Sequence, residues 1–268
     1  MSDTAPRRFA SGLYARRARM VVLRDLYAVK TSAWGVVLSG FFEPVFYLMS
    51  FGLGLGGMVG AVQGPDGSPV PYAAFLAPAL LATSAMNGAI YDSTWNVFFK
   101  LKFGKLYDAM VATSLGTFDI ALGEIAYALL RGLVYSLGFM AVMYSLGLVL
   151  SPWGFLAVPA ASLIAFAFAS CGMAVTSYMK TFQEMDWINF LLLPMFLFSA
   201  TFYPLTVYPP WLQTVIQCLP LWHGVELMRG LTLTTPHWGL LVHVAYFGTM
   251  AVLGLAFTTR RLNWLFLR

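Results

Sequence analysis

Apolar stretches of about 20 residues, separated by short polar or basic connections, recur along the whole chain, and nothing constrains its fold more. A helix needs roughly 20 apolar residues to cross a hydrocarbon core of about 30 Å. In lipid each backbone N–H and C=O has to be satisfied within its own segment, so runs of this kind read as helices. They fall at about 33–57, 72–95, 120–148, 154–178, 187–203 and 238–258. Composition agrees: only 10% of the 268 residues are charged and 59% are hydrophobic, whereas a soluble domain carries about 25% charge to build its solvated shell. The expected fold is all-α, a polytopic membrane protein of six spans forming one transmembrane domain over 1–268, with neither an internal repeat nor a second domain.

The connections are as informative as the spans. Residues 9–31 mix Leu13, Met20, Val21, Leu23 and Tyr27 with basic side chains. That pattern suits an amphipathic helix on the membrane surface, with a basic arm as the alternative. The first thirty residues hold seven Lys and Arg without a short apolar core and small-residue cleavage site, so no cleavable signal peptide is expected. Residues 96–118 form a charged, amphipathic connection that is long for adjacent spans; it reads as a helix lying on the surface or as a docking helix for a partner. Residues 204–236 are broken by Pro204, Pro209, Pro210, Pro220 and Pro236 into pieces too short to span, which suits re-entrant or interfacial helices. With six spans, 14 of the 16 Lys and Arg fall on the side of the two termini, the exceptions being Arg131 and Arg229. The positive-inside rule then places both termini in the cytoplasm.

Little in the sequence points to catalysis. His223, His237 and His243 lack zinc-ligand spacing, and no G-x-x-x-x-G-K-[ST] phosphate loop occurs. If ATP drives the protein, a separate chain has to bind it. Cys171 and Cys218 are too few for a disulfide framework and read as packing residues. Charges inside spans are costly, at least about 2.5–3.5 kcal/mol at the bilayer centre, so each normally faces a partner or a watery path. Glu43 and Arg131 sit at matching depth, roughly 15 Å along their helices, and are expected to pair, either as a structural lock or as part of a transport path. Glu124, Tyr127, Arg131 and Tyr135 share one helical face. Pro44 after Glu43 kinks the first span or opens a cavity there. A secondary transporter using Glu43, Asp92 and Glu124, and a membrane enzyme acting on lipids, are the rival classes; the second lacks a convergent His/Asp set.

E-P-V-F-Y-L from Glu43 and G-L-G-L-G-G-M-V-G ending at Gly60 are followed by Y-A-A-F-L-A-P-A-L-L-A-T-S-A-M from Tyr72. L-G-E closes at Glu124, and P-L-W-H-G-V-E-L-M-R-G runs from Pro220 to Gly230. In this order and spacing the chain resembles the permease subunits of type-2 ABC exporters, and within them the branch of nodulation-factor (lipo-chitin oligosaccharide) export permeases. The resemblance implies a homodimer in the bacterial plasma (inner) membrane, bound to two copies of a separate ATP-binding subunit. That subunit holds ATP and Mg; this chain is expected to bind no cofactor, metal or nucleic acid and to have no catalytic residue. The resemblance makes 96–118 the coupling helix, with Lys100, Phe103, Lys105, Leu106 and Tyr107 against the ATPase. It makes Glu43, Tyr47, Glu124, Tyr127, Arg131 and Tyr135 the path of an amphipathic, glycolipid-like substrate among membrane lipids. Pro220, His223, Glu226 and Arg229 become an extracellular gate.

Overall fold

The computed structural model describes residues 17–30, 42–113 and 115–266. Residues 9–16 of the expected interfacial helix, the start of the first span and Arg268 lie outside them. The first described helix is α1, Ala18–Lys30. It is followed by α2, Phe42–Val59, whose central turns, Leu48–Leu55, are wound as π-helix. A two-stranded antiparallel hairpin pairs β1, Ala61–Gln63, with β2, Pro69–Pro71. Its turn is closed by Asp66, whose Oδ1 accepts from the Ser68 amide at 3.1 Å and from its hydroxyl at 2.6 Å.

The chain then enters α3, Tyr72–Lys102, 31 residues long and the most buried of the long apolar helices. A short α4, Leu106–Val111, leads to α5, Thr117–Ser145, and α6, Pro152–Thr176. After α7, Asp186–Phe198, come two short helices, α8, Pro210–Gln217, and α9, Pro220–Thr232. Each of these two opens with proline, whose missing N–H costs nothing in the first turn. The last helix is α10, Leu240–Phe266.

Helix α3 is the axis, with α5, α6 and α9 packed around it and α10 against α6 and α9. The α3–α5–α6 contact is close because it is made of small residues: a Cβ on Gly132 would stand 2.9 Å from the Ala165 Cβ and 3.1 Å from the Ala85 carbonyl. Without a hydrophobic drive in lipid, such backbone approach is the main source of helix association. Helix α1 lies along α5, where Gly123 leaves room for Val21.

Among the described residues five helices, α2, α3, α5, α6 and α10, are long and apolar enough to cross a membrane, so the chain is a multi-pass, membrane-embedded all-α protein. The expected fifth span is the short one. Helix α7 has 13 residues, about 20 Å. It nonetheless starts beside the C-terminal part of α3, where Phe182 and Trp95 rings meet at 5.3 Å, and ends beside the start of α3, where Arg229 links the 200–201 carbonyls to Phe75. The second span is longer than expected. A π-helical turn at Asp92–Asn96 carries it on to Lys102 instead of releasing the chain at Trp95. The segment 96–118 is thus no single surface helix. Its first third belongs to α3, Lys105 takes a left-handed φ of 44° at the break, and only α4 lies across the bundle end.

Candidate translocation cavity and its charged anchor

Between α2, α3 and α5 lies a cavity of about 240 Å³, bordered by Glu43, Tyr47, Thr83, Asn87, Arg131 and Tyr135. A second, of about 300 Å³, continues it toward α7 and shares Glu43, Tyr47, Thr83, Asn87 and Tyr91. Glu43, Tyr47, Phe51 and Leu55 recur every four residues along α2, and the last two border a third hollow of about 530 Å³ with Tyr72, Tyr203 and Tyr208. Aromatic contacts link the three. Tyr47 meets Phe196 at 5.6 Å, Phe196 meets Phe202 at 5.2 Å, and Phe51 meets Phe202 at 5.4 Å. The result is a lane beside α2, polar where Arg131 and Glu43 face it and aromatic toward the 60–71 end. Its flanks, Phe46 and Met49 on α2 and Trp187, Phe190 and Leu191 on α7, are exposed.

Arg131 does not pair with Glu43. Its Nη1 donates to Asp92 Oδ1 at 2.7 Å and its Nε to the Tyr135 hydroxyl at 2.8 Å, while the guanidinium lies 5.4 Å from the centre of the Tyr91 ring. The cause is the longer second span. With α3 running to Lys102, Asp92 sits ten residues inside the helix rather than at its mouth, close to the level of Arg131. Gly88 permits the contact, since a Cβ there would stand 2.8 Å from the Tyr135 ring. Asp92 Oδ2 is buried and accepts no hydrogen bond from the described residues. Glu43 is exposed to the shared cavity, and no ion pair reaches it among the described residues.

Glu124 and Tyr127, expected beside the same path, are elsewhere. Glu124 is anchored at the end of the bundle where α1 and α4 lie. Arg24 Nη2 bridges Glu124 Oε1 and Asp25 Oδ1, both at 2.7 Å, and Lys100 Nζ bridges Glu124 Oε2 at 2.7 Å and Asp25 Oδ1 at 2.8 Å. Two cations and two carboxylates close a neutral ring joining α1, α3 and α5. The Glu124 side chain is 1% exposed, and each of its oxygens has a charged donor. Tyr127 is buried beside the ring, 5.7 Å beneath Lys100 Nζ. Helix α4 closes over the same place: Arg24 Nη1 reaches Met110 Sδ at 3.3 Å, and Tyr107 is completely buried. Burial first, then the nearby Glu124 and Asp25 carboxylates, push the Tyr107 phenol well above its usual range.

Of the five residues expected to face an ATPase, Lys100 and Tyr107 are therefore inward anchors, Leu106 is half-buried, and Phe103 and Lys105 are exposed. Lys100 is committed to carboxylates of this chain, whereas Phe103 is an apolar group exposed at that end.

At the other end, Arg229 is a strut rather than a gate. Its side chain is 2% exposed and its Nη2 donates to the Ala200 carbonyl at 2.8 Å and the Thr201 carbonyl at 3.2 Å. Its Nε reaches the Phe75 carbonyl at 3.3 Å, with the guanidinium 3.7 Å from the centre of the Phe75 ring. The grip holds Ala200 at a φ of 55°, a region a residue with a Cβ seldom occupies. Glu226, half-buried, lies 3.4 Å from Arg229. Pro220 opens α9, and His223 Nδ1 lies 2.8 Å from His243 Nδ1 on α10. Burial, reinforced by the neighbouring imidazole, lowers the His223 pKa to about 4. Among the described residues no group of three or more His, Cys, Asp or Glu is placed to hold a metal ion.

Of the residues expected along the path, Glu43, Tyr47, Arg131 and Tyr135 border one cavity, but the sequence reading missed Asp92 as the partner of Arg131 and Arg24, Asp25 and Lys100 as the ring around Glu124. Asp25 carried a signal: a lone carboxylate amid seven basic residues needs a reason to be there.

Residues 18–233 match the ABC-2 type transporter family. The chain is 33% identical over 231 residues to nodulation protein J of Sinorhizobium fredii, covering 86% of each protein. It is 34% identical over 224 residues to nodulation protein J of Rhizobium leguminosarum bv. trifolii, covering 82% of this chain and 83% of that one. The inner membrane transport permease YadH of Escherichia coli is 25% identical over 185 residues, 68% of this chain and 70% of its own. The cavity lies within the matched residues, as does the charged ring, and the chain belongs to the ABC-2 type transporter family as a membrane-embedded permease.

Proposed function

We propose that this chain is the transmembrane subunit of an ATP-driven exporter moving an amphipathic substrate, a lipo-oligosaccharide or lipid-linked glycan, across the bacterial plasma membrane. The observation that carries the reading is the lane along α2. It joins a polar stretch at Glu43 and Arg131 to aromatic faces at Tyr47, Phe51, Tyr72 and Tyr203, and it is open along its side. Few, well-placed polar groups in a mainly apolar cleft suit a ligand with both characters. A glycan head would pass the polar and aromatic groups while its acyl chain stays in lipid. The exposed α2 and α7 faces fit a second copy of the chain closing the lane, giving a homodimer of six-crossing subunits in which the short α7 is the fifth crossing. The relatives named nodulation protein J favour a lipo-oligosaccharide. A drug or lipid efflux permease of the same family is the alternative.

ATP and Mg would be held by two copies of a separate subunit docked on the end where Phe103 and Lys105 are exposed. Because α4 covers the Arg24–Asp25–Lys100–Glu124 ring, a push on Phe103 would be passed to α1, α3 and α5 together. The test is copurification with a co-encoded ATP-binding subunit, identification of bound lipid by mass spectrometry, and transfer of that lipid in proteoliposomes. Transfer that needs ATP and the second subunit is expected. Transfer by this chain alone, driven by a proton or sodium gradient, would instead make it an ion-coupled secondary transporter.

A further inference from the structure

Helices α6 and α10 run in the same direction and touch closest at Gly254, where a Cβ would stand 2.7–2.8 Å from the backbone of Ser170 and Cys171. The Thr258 hydroxyl donates to the Ser170 carbonyl at 3.3 Å, and Cys171 Sγ reaches the Met250 carbonyl at 3.7 Å. Beside this seam the two helices leave a groove of about 450 Å³ on the outside of the bundle, away from the lane along α2. Cys171, Val175 and Tyr178 form one wall and Tyr246, Leu253 and Phe257 the other. Val175, Tyr178, Leu253 and Phe257 are each about half exposed, and among the described residues no charged one borders the groove. From Tyr246 to Phe257 the groove follows roughly 16 Å of helix, about half of a 30 Å hydrocarbon core and hence one leaflet.

The groove is capped by a cation. Arg261, one turn beyond Phe257, is held between two rings, its guanidinium 4.5 Å from the centre of Tyr178 and 4.3 Å from that of Trp264. Its Nε donates to the Ser177 carbonyl at 3.4 Å, and among the described residues no carboxylate lies within ion-pair distance of it. Arg260 and Lys180 are exposed close by in sequence; Glu184 is the nearest carboxylate in sequence and accepts from the Lys180 amide at 2.8 Å. A planar guanidinium fixed by stacking suits a phosphate better than a flexible ammonium does, and basic pockets between membrane helices at an interface select anionic headgroups. An apolar half-length groove ending in an arginine between aromatic rings thus has the shape and charge order of a phospholipid.

We propose that α6 and α10 form a binding site for an anionic phospholipid of the leaflet at the Arg261 end, with an acyl chain in the groove and its phosphate on Arg261. This site is separate from the proposed substrate lane and stands whether or not the exporter reading does.

The test is native mass spectrometry of the full-length purified protein, with any subunit that copurifies, after equilibration with phosphatidylglycerol or phosphatidylcholine of identical chains. One well-placed cation gives about a fivefold preference for the anionic lipid. Arg261→Gln is expected to bring the two lipids to parity, whereas Arg261→Lys keeps part of the preference. Val175→Trp, which fills the groove, is expected to lower retention of both lipids; Leu253→Trp from the opposite wall does the same should the first variant not fold. Monodisperse elution checks integrity in each case. Equal retention of both lipids by the unaltered protein overturns the proposal. So does an unchanged preference in Arg261→Gln, or undiminished retention in a folded groove-filled variant.

Discussion

Arg131 shows how a single buried charge is decided. Glu43 borders the same cavity as Arg131, but it is Asp92 that comes within 2.7 Å, and the Tyr135 hydroxyl completes the arrangement. Removing one partner of a buried pair leaves an uncompensated charge and typically costs about 3–5 kcal/mol, while removing both is often close to neutral. Arg131→Gln and Asp92→Asn are each expected to lower thermal stability in detergent, and the double variant to recover most of the loss. Glu43→Gln, exposed in the cavity, should change stability by no more than about 0.5 kcal/mol while reducing export. Strictly additive losses for Arg131 and Asp92 would mean that each charge faces water independently. The pair was hidden in the sequence because its partner depended on where α3 ends.

At the scale of elements, α4 and the ring beneath it divide the expected coupling segment into an outward and an inward part. Phe103 is exposed and Tyr107 is fully buried, four residues apart on either side of the break at Lys105. Phe103→Asp is therefore expected to leave the melting temperature nearly unchanged and to reduce copurification or stimulation of an ATP-binding subunit. Tyr107→Ala should instead destabilise the fold by about 3 kcal/mol or more, as aromatic truncations in packed sites do. Comparing the two variants by thermal unfolding and by pull-down of the partner separates docking from packing. Equal loss of stability in both would remove the distinction drawn between the two faces. The amphipathic pattern of 96–118 was legible, but its break was not. Periodicity marks an apolar face without saying whether lipid, partner or the chain itself covers it.

For the molecule as a whole, α6 and α10 run parallel, so the chain between them has to return once across the bundle, and α7 with the following residues makes that return. On the positive-inside rule we propose that α1, α4 and the end of α10 lie in the cytoplasm and the β1–β2 hairpin outside. In a background with Cys171 and Cys218 replaced, since Cys218 is exposed, a cysteine at Pro65 is expected to react with an impermeant thiol reagent in intact cells. One at Lys102 should react only after the membrane is opened. The reverse pattern would invert the orientation and move the proposed ATPase contact to the wrong side.

What the sequence determined by itself was everything that follows from lipid as the solvent. Apolar length dictates helices and the scarcity of charge excludes a soluble shell; the ordered motifs from Glu43 to Gly230 pointed to the family. What only the tertiary structure decided was which charges meet. The π-helical turn at Asp92–Asn96 carries α3 onward to Lys102, aims Asp92 at Arg131 and places Lys100 against Glu124 and Asp25. Pairing of that kind depends on the rotation and depth of one helix against another. Those are set by close contacts at residues such as Gly88, Gly123 and Gly132, which a reading along one dimension does not contain.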